Sequence, residues 1–337
     1  MKKLLILASM ASIIFSGQAM ASDLVGEYVG KIDAKFGYFK DNPTIAFQVY
    51  KENNKYKVGI YPDLWRRAAP YAKLESKGEG GKITFATNGW FALKGEITKD
   101  GLKGVATSHN KEGKCDSPFE IKKLDRKSPT LGKKAPEGAD VLFDGKSFEQ
   151  WKFHSGKPVS WKLMPDGSME VARTPTSRGS LVSKKAYKDL EMHIEFMIPD
   201  ESDKTLGQGR GNSGVFIGNF EVQVLDSFGM NGLWNECGAL YKYMPPQVNA
   251  SMPPLKWQTY DIRYRAPRFK DGKISEYPRI TVVHNGIIIH NDVELREATS
   301  NSSAYRSIEN MKDIPVHISM QDHGNPIRFR NIWVKSL

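Results

Sequence analysis

Through residues 22–124 apolar and polar positions alternate in short runs: "GEYVGKI", "TIAFQVY", "YKVGIY", "KITFAT", "FALKGEI", "LKGVAT" and "PFEIKKL". A period of two marks a strand with one buried face. The runs are bounded by Gly, Asn, Asp or Lys. The pattern predicts an antiparallel meander forming a small barrel or sandwich. In "TKDGLKG", Asp100-Gly101 stands where a two-residue hairpin turn belongs. Only "PDLWRRAAPYAKLES" breaks the alternation, and Pro62 and Pro70 allow no more than a short helix between them. Tyr28, Phe36, Tyr38, Trp65 and Trp90 read either as this domain's core or as a binding face.

"DRKSPTLGKKAPEGA", residues 125–139, is proline-rich, charged and aperiodic, which makes it the expected linker. Strand patterns resume over 140–337 with more aromatic residues and no long amphipathic helical stretch. "SLVSKKAYKDLEMHIEFMIP" holds an expected strand pair at 180–183 and 190–198. "RITVVHNGIIIHNDVEL" joins two β-branched runs through Asn285-Gly286, the type I′ turn signal. Short strands with long loops over this length imply two packed antiparallel sheets. The expected fold class is therefore all-β, a C-terminal jelly-roll sandwich behind a small antiparallel β domain.

Composition narrows the function classes. The 337 residues suit two domains. The net charge is +11, but the basic residues are scattered, as in "KKLDRKSPTLGKK", and form no stripe. That argues against a nucleic-acid partner. Lys2 and Lys3, an apolar run from Leu4 to Phe15 and Ala19-Met20-Ala21 have the order of a signal peptide over 1–21. The mature chain is expected to start at Ser22, with a charge of +9, in the periplasm or the medium and without membrane insertion. The two cysteines, Cys115 and Cys237, lack the spacing of a zinc site. An oxidising compartment permits a bridge between them, which sequence cannot place.

Two strands carry unusual polar rows. In "RGNSGVFIGNFEVQVLDS", Val222 and Val224 mark the core face, so Glu221 and Gln223 point out of it. In "HISMQDHGNPIRFRNIWV", Ile318 and Met320 are apolar and His317, Ser319, Gln321 and His323 fall on the other face. Strand Glu and Gln ordinarily face bulk solvent. Rows of Glu, Gln and His on separate strands suit a sugar site instead, because hydroxyls need bidentate polar partners. Arg210, Asn212, Trp234, Tyr241 and Lys242 lie in loops able to complete such a groove. Farther along, Ile327, Phe329, Asn331 and Trp333 alternate with Arg328, Arg330, Ile332 and Val334, and either row suits the core. The chain has no Gly-x-Ser-x-Gly elbow and no His-Glu-x-x-His motif. "GQGRGNSG" leads into a strand, which excludes a phosphate loop at a helix N-terminus.

"LFDGKSFEQWK", "GQGRGNSGVFIGNFEVQVLDSFG", "ECGALYKYMPPQVNAS", "WQTYDIRYRAPRF", "VVHNGIIIHNDVEL" and "QDHGNPIRFRNIWV" together resemble the 3-keto-disaccharide hydrolase family, in order from about Ala139 to Leu337. The resemblance does not cover 22–124. It implies a concanavalin A-like jelly roll and cleavage of glycosides already oxidised to a ketone at C3. Such a ketone acidifies the C2 hydrogen, so a base, an enolate donor and a leaving-group acid suffice, without the opposed carboxylates of ordinary glycosidases. On that chemistry Glu221 and His323 are the expected base and acid, in either order, and Arg330 with Gln321 steadies the enolate. Asn212, Gln223 and Lys242 hold hydroxyls, with Arg210 and Tyr241 lining the site.

The expected partner is an oligosaccharide or glycoside. No cofactor is expected, although a divalent cation on Glu221, Asp226, Asp322 and His323 would be an alternative electrophile to Arg330. Asp226 and Asp322 alternate with core residues and read first as turn caps. Two competing functions remain at this stage, a non-catalytic carbohydrate-binding module and a conventional glycoside hydrolase. The second wants another carboxylate at the site, and both aspartates are on the wrong face for it.

Overall fold

The computed structural model describes residues 24–35, 37–64, 69–88, 91–111, 113–300 and 306–337. The expected signal segment with its cleavage site, Phe36, Trp65 and Trp90 lie outside them.

Alternation sets the first domain. Strands β1 (Gly26–Lys31), β2 (Thr44–Glu52), β3 (Lys55–Tyr61) and β4 (Ala72–Ser76) form one antiparallel sheet, which β9 (Lys123–Leu124) joins beside β1. Strands β5 (Ile83–Ala86), β6 (Phe91–Thr98), β7 (Gly101–Asn110) and β8 (Gly113–Ile121) form the second. The sheets stay open and stack as a sandwich, burying Tyr28, Phe47, Val58 and Ile60 against Phe85, Leu93, Ile97 and Phe119. Tyr28 is thus core, while Tyr38 packs at the margin, edge-on to Tyr71. Two local expectations change. The stretch after Pro70 is strand β4, and the β6–β7 hairpin pairs Thr98 with Gly101, so its turn is Lys99-Asp100, one residue early. The unforeseen helix α1 (Tyr38–Asp41) is a single turn anchored by buried Phe39.

The second domain comprises β10 (Asp140–Phe143), β11 (Trp151–Phe153), β12 (Lys162–Leu163), β13 (Met169–Glu170), β14 (Leu181–Tyr187), β15 (Leu190–Met197), β16 (Ser213–Ile217) and β17 (Phe220–Val224). It continues with β18 (Trp257–Arg265), β19 (Arg268–Lys270), β20 (Lys273–Glu276), β21 (Arg279–His284), β22 (Ile287–Glu294), β23 (Val316–Met320) and β24 (Arg328–Ser336). The larger sheet runs β12-β13-β24-β15-β18-β21-β22 with β10 beside β24, and the smaller runs β11-β14-β23-β16-β17. Their facing sides share one core, from Ile194, Phe196, Tyr260 and Phe329 on one sheet to Val215, Val222, Ile318 and Met320 on the other. Each such fully buried aliphatic or aromatic side chain contributes roughly 1.5–3 kcal/mol. The Asn285-Gly286 hairpin forms between β21 and β22, with φ of 52° and 82° at its turn.

Consecutive strands often change sheets. The segments expected to pair at 180–183 and 190–198 become β14 and β15, which lie in opposite sheets, and the same holds for β23 and β24. In β24 both rows are core, in turn. Ile327 and Phe329 face inward, then a bulge opposite Ile194, with Asn331 at φ 45°, shifts parity so that Ile332 and Val334 do.

Residues 125–139 are a strap and not a free linker. Thr130 Oγ1 donates to Asp261 at 2.6 Å, Gly132 N–H donates to Glu195 at 2.6 Å, and Lys133 O accepts from Asn331 and Trp333. Arg126 makes two bonds to buried Glu27 of β1 and two more to the carbonyls of Ala250 and Ser251, which ties the domains. Strand β2 is buried along nearly its whole length because its second face meets the other domain, where Tyr50 packs on Gly229. Cys115 and Cys237 are both free, and Cys237 lies in the core 3.1 Å from the Tyr260 hydroxyl.

Candidate active site

The smaller sheet's outer side carries the polar row. Register places Phe216 opposite Glu221 and Gly214 opposite Gln223 across β16 and β17, and Ser319 opposite Phe216 across β16 and β23. Directly opposed residues share a face, so Ser319, Phe216 and Glu221 line up across the sheet. The free edge of β17 is covered by the segment 238–241. Gln223 N–H donates to Ala239 O, Gly238 N–H to Gln223 O and Tyr241 N–H to Glu221 O. The bridge between Val222 and Leu240 sets both into the core and brings Tyr241 to the side of Glu221. Thr299 Oγ1 takes the Glu221 amide at 2.7 Å.

Glu221 is only 5% exposed. Among the described residues its carboxyl makes no hydrogen bond and no ion pair. Burial therefore pushes its pKa from 4.5 up to about 8. Asp226, also buried, reaches only about 6, because Arg210 offsets part of the desolvation. Glu195 shows the opposite outcome. Burial works against its charge, yet His193, Asn331, the Gly132 amide and Arg330 together hold it at about 2. Of the three carboxyls Glu221 is raised furthest, and it is the one without a cation among the described residues.

Amides surround it. Asn212 Nδ2 donates to Gln208 O at 2.8 Å and Gln208 Oε1 at 3.2 Å, and Gln223 Nε2 reaches the same Oε1 at 3.4 Å. Gln208 Nε2 in turn donates to Asn235 O at 2.7 Å. Among the described residues Asn212 Oδ1 and Gln321 Oε1 are buried with no partner. Such orphaned acceptors cost about 1–3 kcal/mol each unless a ligand or water satisfies them. A carboxyl that holds its proton near neutrality beside unsatisfied acceptors suits proton transfer on a polyhydroxylated substrate.

The structure gathers some expected residues and separates others. Glu221, Gln223, Asn212, Gln321 and Tyr241 come together. Lys242, at φ 59°, sits at the margin with its ammonium 3.9 Å from the Trp234 ring centre. Arg210 is not on this face. It is buried, its Nε 2.7 Å from Asp226 and its Nη1 on the carbonyls of Lys51 and Lys204. Arg330 lies on the outer side of the larger sheet, bonded to Glu195 at 2.7 Å and stacked on Trp257. Because the two outer sides face away from each other across the core, Arg330 cannot serve Glu221. Strand β23 ends at Met320, so His323 falls in an exposed turn beyond the row. Asp322 caps that turn through Gly324 N–H and pairs with Arg173 at 2.8 Å. Gln208 was missed. It stands in the "GQGRGNSG" loop, and only the folding of that loop over the row distinguishes it.

The family model of the 3-keto-alpha-glucoside-1,2-lyase-like domain matches residues 138–335. The chain belongs to this family. A solved structure from Parabacteroides distasonis ATCC 8503, described as a "putative glycosyl hydrolase", is 35% identical, covers 60% of this chain and 85% of that chain, and has a TM-score of 0.53. A second from the same organism with the same description is 23% identical over 60% of this chain and 95% of that one, with a TM-score of 0.41. No curated protein matches the chain. The lyase-like domain is a carbohydrate-active enzyme of glycosidase type on an all-β sandwich. Its match begins where the strap ends, so the first domain lies outside it.

Proposed function

We propose that the protein cleaves the glycosidic bond of glycosides carrying a ketone at C3, with Glu221 as the proton carrier. The supporting observation is the buried Glu221 carboxyl, unpaired among the described residues, on the same sheet face as Gln223 and Gln321. Its anionic form takes the C2 proton, and the released electron pair passes into the C3 carbonyl as an enolate. The enolate re-forms the ketone as a C1–C2 double bond forms and the C1–O bond breaks. The departing oxygen takes the proton from Glu221, which returns to its anionic form. Water adds at C1 and a proton returns to C2, completing net hydrolysis. A carboxylate of pKa about 8 is a stronger base than an ordinary one while still able to return its proton. Gln321 replaces Arg330 as the donor to the enolate oxygen, and the buried acceptors take sugar hydroxyls.

The test uses a matched pair of glucosides, one plain and one oxidised at C3, incubated with the protein in deuterated water. Release from the keto substrate alone, with deuterium at C2 of the product, is the expected result. Cleavage of the plain glucoside restores a conventional glycosidase, and binding without release makes the domain a carbohydrate-binding module.

A further inference from the structure

The first domain has no place in the lyase-like match, but its β2–β3 hairpin ends against the loop that carries Gln208. The hairpin turn, Asn53-Asn54, has φ of 51° and 59°, the geometry that follows strand twist. Asn54 N–H donates to Ser202 O at 2.9 Å and Asn53 N–H to Lys204 O at 3.3 Å. From the loop, Leu206 N–H donates to Glu52 Oε1 at 3.1 Å and Thr205 Oγ1 to Asn53 Oδ1 at 3.1 Å. Arg210 Nη1 joins both partners, at 2.8 Å from Lys51 O and 3.0 Å from Lys204 O.

The far end of the loop is closed within its own domain. Glu201 Oε2 accepts Gly211 N–H and Asn325 Nδ2, each at 2.7 Å. Between the two anchors stands Gln208, whose carbonyl and side chain collect Asn212 and Gln223. Residues 203–205 and 209 are exposed, so the loop has little apolar burial to hold its shape. Polar anchors must do so.

Resting on the glycoside reading of the Glu221 face, we infer that the first domain is a clamp on the substrate-binding loop. The hairpin holds residues 202–206, and that hold places Gln208 to bind a sugar hydroxyl beside Asn212 and Gln223. Gln208 touches substrate in this assignment. Glu52 and Thr205 act through it, as positioning residues.

A mutant cycle on the full chain tests the clamp. Glu52→Ala with Thr205→Val removes two side-chain legs and leaves the hairpin backbone intact. The expected effect is a loss of about tenfold in kcat/KM on a 3-keto-glucoside, carried mainly by KM. Glu52→Gln keeps an acceptor oxygen and should retain wild-type values. In a Gln208→Ala background the same pair should add no further loss, because coupled residues are not additive. Amide deuterium exchange at Leu206 and Gly211 should quicken in the pair without a change in melting temperature. Equal losses in both backgrounds, or unchanged exchange, would overturn the clamp. Absence of wild-type turnover on the keto substrate sinks the proposed reaction instead, and exchange alone then decides the clamp.

Discussion

Gly214 and Glu221 meet across β16 and β17 so closely that a Cβ at Gly214 would lie 2.4 Å from Glu221 Oε1. The position needs no side chain, because the carboxyl occupies its space. A methyl there must push the carboxyl aside. Gly214→Ala should therefore keep the fold and lose about 10²-fold in kcat, as expected for a misplaced reacting group. Steady-state kinetics beside a melting curve check this, and unchanged turnover would remove Glu221 from the chemistry.

Glu221→Gln should lose on the order of 10² or more in rate on the keto substrate. In the wild type kcat/KM should rise with pH toward about 8, where the carboxyl ionises. Stability follows the opposite sign. The folded pKa is raised, so the folded state holds a proton that the unfolded state releases above 4.5, and wild-type stability falls from there to about 8. Across that window Glu221→Gln should gain in melting temperature relative to wild type. Parallel melting curves would contradict the unpaired burial.

Arg330→Gln should affect stability and not turnover. Its guanidinium serves Glu195 on the larger sheet, and losing that bond to a buried carboxylate costs roughly 1–3 kcal/mol. Denaturant unfolding would show the loss while kcat stays within about threefold, well short of the 10² expected for a group in the chemistry. A hundredfold fall in kcat with the fold intact would return Arg330 to the site.

No cation enters the proposed steps, and Asp226 and Asp322 are taken up by Arg210 and Arg173. Turnover should survive exhaustive chelation. Loss on chelation with recovery on adding one divalent metal would replace the Gln321 role by a metal ion.

We propose that residues 1–21 are removed on export, which leaves a mature chain beginning at Ser22 in the periplasm or medium. Intact mass of the protein recovered from those fractions is the check, and a full-length chain confined to the cytoplasm would refute it.

Local periodicity was enough to read most strands, because alternation in "FEVQV" or "TIAFQVY" reflects backbone geometry within one strand. It also determined that Glu221 and Gln223 leave the core and that Asn285-Gly286 turns a hairpin. The family motifs were legible for the same reason, since order along the chain is all they require. Sheet membership was not. Strands β23 and β24 follow each other closely yet belong to opposite sheets, so Arg330 left a site that sequence proximity had assembled, and His323 left it because β23 ends at Met320. The β24 bulge needed the register with β15, and the polar strap over His193 and Glu195 needed a neighbour to bond. The raised pKa of Glu221 likewise comes from what covers it, because desolvation and loop closure are properties of packed surroundings that no single strand contains.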